Sequence, residues 1–215
     1  LKKEPRNTKA LHLLATTQIQ ERNFSAAEKT LKTAISIEPD NPNLYSFMGF
    51  FHYYHNQDLP AAESAYLKAI NLDRSLLEPY EELITIYIRE NLPGKAEPLL
   101  IELARRDEDQ PGHQNRLAGF YESQNQFKKA EAIFQTMVTE SGNTDTNAIL
   151  ALARFHLRTR NFAAAIESYQ NALARNNSPD IRSELAAAQI DAGKITEADK
   201  LLTDILSENS SHAGA

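Results

Sequence analysis

His52 and His55 stand three residues apart in residues 49–57, GFFHYYHNQ, close enough on a helix to share a face and to reach one metal ion. Structural zinc needs four ligands, and this segment supplies no third or fourth. The chain has no cysteine, which removes thiolate nucleophiles, disulfides and Cys-ligated metal together. The remaining histidines, His12, His113, His156 and His212, are scattered along the sequence. Glu81 and Glu82 are the nearest approach to paired carboxylates, but adjacent helical residues diverge in direction and read as a solvated pair. No Gly-rich phosphate loop and no nucleophile elbow is present. The expectation is therefore no catalytic, cofactor-binding or metal-ligating residue, and a chain that is not an enzyme.

Aromatic side chains are the other chemistry of residues 49–57, which hold four rings where the 215-residue chain has 17 Phe and Tyr and no Trp. Rings and arginines can recognise a partner without reacting with it. Bulk composition agrees with such a role. Hydrophobic residues make up 41% and charged residues 24%, an ordinary balance for a folded chain. A net charge of -6 argues against nucleic acid as the main partner, since phosphate binding needs a basic surface. No apolar run approaches the roughly 18 residues of a membrane span, so no direct membrane insertion is expected. Cytoplasmic and periplasmic or cell-envelope settings fit equally well.

The elements that position these residues are visible as internal repetition. Ala27, Ala62, Ala96, Ala130, Ala165 and Ala198 follow one another at intervals of 35, 34, 34, 35 and 33 residues. Four residues after each stands a large one: Leu31, Tyr66, Leu100, Phe134, Tyr169 and Leu202. Three further on come Ala34, Ala69, Leu103, Met137, Ala172 and Ile205. The i, i+4, i+7 spacing puts each trio on one helical face. A first helix precedes each of these, marked by Leu14-Ala15, Met48-Gly49, Leu83-Ile84, Leu117-Ala118, Leu152-Ala153 and Leu185-Ala186. Two short helices cannot bury both apolar faces alone, so the units must stack.

Six such units resemble the tetratricopeptide repeat family, whose first-helix aromatics correspond to Tyr80, Tyr87 and Tyr121 and whose turn-closing aromatic corresponds to Phe24, Phe127 and Phe162. The resemblance implies an all-α fold, a right-handed α-solenoid of stacked helix-turn-helix repeats. The units are read as 8–41, 42–76, 77–110, 111–145, 146–178 and 179–212, with terminal residues 213–215. Residues 1–7 read as the tail of a preceding repeat, since EPRN at 4–7 recurs as EPDN at 38–41. The last unit has no capping helix, so the chain reads as part of a longer array, and self-association through uncapped ends is compatible with it. One extra residue is expected in the turn of the second unit, near 56–59. Pro98 is expected to delay or bend its helix.

In the family that the sequence resembles, first helices line a concave groove for peptides. Transferring that register puts Ser46, Phe47, Phe50, Tyr53 and Tyr54 in the groove, then Glu78, Glu81, Glu82 and Arg89, then Arg116, Arg154 and Arg158. Gly49, Phe51 and His52 fall on the packing side. The partner-binding residues expected are Phe47, Phe50, Tyr53, Tyr54, Arg89, Arg116, Arg154 and Arg158, and an arginine stripe beside rings suits an acidic, partly apolar segment. The carboxylate clamp of chaperone-binding members is not reproduced, because its positions read His12, Thr16, Phe47, Glu78 and Glu82. The function implied is a non-catalytic scaffold binding a partner peptide or helix. The alternative is a docking or regulatory segment of a larger enzyme or of a bacterial cell-envelope system for polysaccharide export or assembly.

Overall fold

A computed structural model describes residues 7–106 and 111–212. The expected tail of a preceding repeat, apart from Asn7, and the terminal residues 213–215 lie outside the described residues. Among these, twelve α-helices and no strand occur. They are α1 (Thr8–Gln20), α2 (Phe24–Ile37), α3 (Pro42–Phe51), α4 (Leu59–Leu72), α5 (Glu78–Arg89) and α6 (Pro93–Arg106), then α7 (Pro111–Ser123), α8 (Phe127–Glu140), α9 (Thr146–Arg158), α10 (Phe162–Arg175), α11 (Pro179–Asp191) and α12 (Ile195–His212). The chain forms two compact units, 1–99 and 100–215. In the first, α1 packs on α2, α2 on α3, α3 on α4 and α4 on α5; in the second, α7 to α12 follow the same neighbour-to-neighbour order.

Helix starts are written in polar side chains. Asn7, Asn23, Asn41, Asp58, Asp145, Asn161 and Ser178 each accept a backbone N–H of the first turn with the side-chain oxygen, satisfying a donor the helix itself cannot. The turns within each helix pair share a second device. A residue with left-handed backbone, Arg22, Gln57, Asn91, Asn125, Arg160 or Gly193, sits two places before the second helix. The next residue's N–H then reaches back to the carbonyl five before it, as in Asn23 to Gln18, Leu92 to Tyr87, Gln126 to Tyr121, Asn161 to His156 and Lys194 to Gln189. This closes the first helix and reverses the chain in three residues.

The second pair departs from this pattern and corrects the expectation of a longer turn. There Asp58 reaches back six residues, to the carbonyl of His52, at 2.9 Å. The extra residue is absorbed by a π-helical turn over His52–Asn56 that continues α3, leaving only Gln57 and Asp58 between it and α4.

Packing follows the small-then-large pattern. Ala27, Ala62, Ala96, Ala130, Ala165 and Ala198 are buried, as are Leu31, Tyr66, Leu100, Phe134 and Tyr169. Leu202 is the exception at 37% exposed, with Leu206 at 70%, because no described helix follows α12 to cover them. The small residues of the first helices, Ala15, Ala118, Ala153 and Ala186, are wholly buried. At Gly49 an added Cβ would lie 2.7 Å from ring carbons of Tyr66. Ser46, expected on the ligand face, is buried instead. Pro98 lies inside α6, which begins at Pro93 without the delay expected from the sequence.

Three outcomes follow from this packing. Gly49→Ala forces the Tyr66 ring to shift and lowers unfolding free energy by about 1–3 kcal/mol in urea titration, whereas Gly119→Ala, whose Cβ meets nothing within 4 Å, is neutral or stabilising. Pro98→Ala restores a helical N–H and raises stability by about 1–3 kcal/mol. His156 is buried in α9, and desolvation holds its pKa below 6.5 despite Glu131 at 3.9 Å and the charge of Glu167. The unfolded chain therefore takes up this proton first as pH falls, so stability declines from about pH 6.5 downward until the folded imidazole also protonates. Urea midpoints at pH 7.5 and 5.5 differ less in His156→Gln than in the native protein.

Candidate functional site

The first helices of unit 1 bring five of the expected residues into one cluster. Phe47 and Phe50 lie one turn apart on α3, with ring centroids 6.2 Å apart. His12 of α1 stacks on Phe47 at 4.2 Å. Beyond Phe50 the π turn sets Tyr54 against it at 4.7 Å, and Tyr53 meets Tyr54 edge-on at 4.9 Å. Arg89 of α5 lies over both tyrosine rings at 5.8 and 5.9 Å. Tyr54 is 38% exposed, whereas Phe47, Phe50 and Tyr53 are half-buried.

Carboxylates of the α5 region border these rings. Tyr53 donates to Glu90 at 2.7 Å, and Tyr54 donates to Glu82 at 3.3 Å. Partial burial and the bond to Glu90 both raise the Tyr53 phenol above its ordinary value. The ring of Tyr66, from α4, crosses over Gly49. Burial pushes the Tyr66 phenol up strongly, and the charges of Glu82 and Glu78 add to this. Its hydroxyl is buried and has no hydrogen-bond partner.

The two histidines that open the metal question point apart. His55 sits among Phe24, Phe50 and Phe51 at 5.2–5.9 Å, and His52 contacts Asn56 at 3.3 Å. Among the described residues no three His, Cys, Asp or Glu come together as a metal site, and no helix is long and apolar enough to cross a membrane.

The other three arginines belong to unit 2, and two of them are already engaged. Arg154 of α9 grips Glu184 of α11 through two bonds of 2.8 and 2.5 Å. Arg158 grips Glu122 of α7 at 3.0 and 2.7 Å. An acidic ligand would have to displace these partners, so Arg154 and Arg158 brace one first helix against another. Arg116, on α7, also has a contact of its own. Arg154 holds the Glu184 carboxylate below its ordinary range, and the Tyr169 hydroxyl adds a further bond to the same carboxylate. Tyr169 occupies in α10 the place Tyr66 occupies in α4, four residues after the buried alanine.

Sequence reasoning placed both of these tyrosines in the core but missed what their hydroxyls meet, and it missed Glu90. A phenol at a position otherwise filled by Leu or Phe was the available signal, since a buried Tyr carries its hydroxyl beyond the apolar layer and needs a partner there. Glu90 lies just past the end of α5, outside the register used to choose facing residues.

Comparison with known proteins agrees with this architecture. A family model described as tetratricopeptide repeat matches residues 1–49, and one described as anaphase-promoting complex, cyclosome, subunit 3 matches residues 123–205. No curated protein matches the sequence significantly. Among solved structures, the C-terminal part of a TPR repeat-containing protein from Cytophaga hutchinsonii is 16% identical with a TM-score of 0.64, covering 96% of this chain and 85% of that one. The structure of Naa15/Naa10 bound to HypK-THB is 18% identical with a TM-score of 0.61, covering 98% of this chain and 33% of that one. YrrB, described as a TPR protein with an unusual peptide-binding site, is 16% identical with a TM-score of 0.50, covering 85% of this chain and 94% of that one. With its paired helices, its buried alanines at 33–35-residue intervals and these matches, the chain belongs to the tetratricopeptide repeat family.

Proposed function

We propose that the chain is a non-catalytic protein-interaction scaffold that docks a peptide or helix of a partner on the first-helix face of residues 1–99. The observation carrying this reading is the contiguous ring cluster of Phe47, Phe50, Tyr53 and Tyr54, built on helices whose other side already supplies the core. Core packing does not require rings on that face, and exposed aromatic surface flanked by polar groups is typical of binding sites. The likeness to a protein described by its peptide-binding site and to one bound to HypK-THB supports the same reading. Repeat boundaries at 8, 42, 77, 111, 146 and 179 belong to this proposal, each unit contributing one first helix to the face. A docking segment within a larger assembly is the second reading, favoured by the Naa15/Naa10 match, in which this chain corresponds to 33% of the matched chain.

Affinity capture from the source organism tests the docking reading. The Phe50→Ala/Tyr54→Ala variant is expected to lose the captured partner while retaining the native helical circular dichroism signal. Tyr54→Ser, which alters only the most exposed ring, should weaken capture with little change in melting. Unchanged capture by the folded double variant would remove this face from consideration.

A further inference from the structure

The contact of Tyr169, Arg154 and Glu184 recurs in unit 1 with one member missing. In the repeat register Tyr66 corresponds to Tyr169, each lying four residues after its buried alanine, Ala62 or Ala165. Glu82 corresponds to Glu184, each two residues before the marker residue of its helix, Ile84 or Ala186. Phe50 corresponds to Arg154, each directly after the small residue of its helix, Gly49 or Ala153. In unit 2 the guanidinium of Arg154 bonds Glu184 twice, and the same carboxylate accepts from Tyr169. In unit 1 the carboxylate and the phenol are present, Phe50 stands in the place of Arg154, and the nearby guanidinium of Arg89 lies over Tyr53 and Tyr54.

Two consequences are visible. The Tyr66 hydroxyl is fully buried and lacks any partner, an unfavourable state for a polar group. Glu82 has only the long 3.3 Å bond from Tyr54, and neither Glu82 nor Glu78 has an ion pair among the described residues. Elsewhere the carboxylates Glu63, Glu122 and Glu184 each hold a lysine or arginine. Glu78 lies one turn before Glu82 on α5, as Phe50 lies one turn before Tyr54. The helices run the same way because α4 reverses the chain between them. Where the arginine would stand, Phe50 and Phe47 offer ring faces instead. Carboxylate, phenol and flat aromatic surface together suit a planar, delocalised cation better than a compact ammonium.

We propose that this position receives an arginine side chain supplied by the partner, its guanidinium bonding Glu82, meeting the Tyr66 hydroxyl and lying against Phe50. The site rests on the docking reading above and names what the docked segment presents: an arginine within a basic, apolar stretch. Entry of the guanidinium displaces the Tyr54 hydroxyl from Glu82.

Nuclear magnetic resonance of protein labelled in its tyrosine rings tests this directly. The probe is N-acetyl-arginine methylamide, with the neutral isostere N-acetyl-citrulline methylamide and the ammonium N-acetyl-lysine methylamide as controls, and Tyr66→Phe assigns the Tyr66 signals. Saturable shifts of Tyr54 and Tyr66 are expected with the arginine probe, little response to citrulline, and weaker binding of lysine. Glu82→Gln, a near-isosteric change at a half-buried carboxylate, checked for native circular dichroism, should weaken arginine binding about tenfold. Phe50→Arg should supply the guanidinium in cis and remove the response to the probe. No saturable shift, equal response to citrulline, or indifference to Glu82→Gln would overturn the proposal. Partner capture separates this failure from that of the docking reading. Capture lost in Phe50→Ala/Tyr54→Ala but retained in Glu82→Gln leaves the face standing and removes the arginine.

Discussion

At Gly49 the ring of Tyr66 lies so near the helix backbone that a single methyl group would come within 2.7 Å of its carbons. In the register the same position is alanine at residues 15, 118 and 153, all wholly buried, with Leu31, Phe134 and Tyr169 buried in their second helices. Each joint lets a second helix nest against the first, and the bulk of its large residue fills the space beside the small one. Because each pair presents further apolar surface that only the next pair can cover, stacking is a condition of stability for every pair. Helices α10 and α11 show the covered case, and α12, with Leu202 and Leu206 exposed, shows the uncovered one.

The joint also decides what reaches the opposite face. Where the large residue is Leu31, Leu100 or Phe134, the interior ends in carbon and the first-helix face is independent of it. Where it is tyrosine, a hydroxyl passes through the apolar layer and has to be answered on the far side. The second unit answers Tyr169 with Glu184, itself held by Arg154. Ion pairs as exposed as this one add little stability, because side-chain entropy and solvent screening offset most of the attraction. They do fix which side chains are already engaged and which remain available to a ligand.

How much of this was legible depends on distance along the chain. Helix pairing, the buried face of each second helix and the small contact residues follow from spacing within a few turns, and Leu31, Tyr66, Leu100, Phe134 and Tyr169 are all interior. Leu202 follows the same local pattern yet is exposed, because burial requires a neighbour the local pattern does not contain. The extra residue of the second pair was visible as an interval of 35, but its location was not, since a longer turn and a π turn give the same count. Ser46 was assigned to the ligand face by register and is buried, which shows that a facing position in the register need not be an open one. The arginines were placed on the ligand face by the transferred register, which carries no information about their partners. Their engagement by Glu122 and Glu184 lies 36 and 30 residues away, beyond what periodicity reports.

The π turn at His52–Asn56 separates two properties that a helix normally ties together. A residue added to an ordinary helical hairpin would carry the whole following helix out of phase. Here the widened turn takes up the insertion before Leu59, so Ala62 and Tyr66 keep the alignment of their counterparts in the other pairs. Only the side chains on the turn itself, Tyr53 and Tyr54 among them, are re-aimed. Length variation at the end of a first helix can thus redraw the outward display while the mechanical stack keeps its phase, giving a repeat array a route to new specificity that substitutions in the joint could not take.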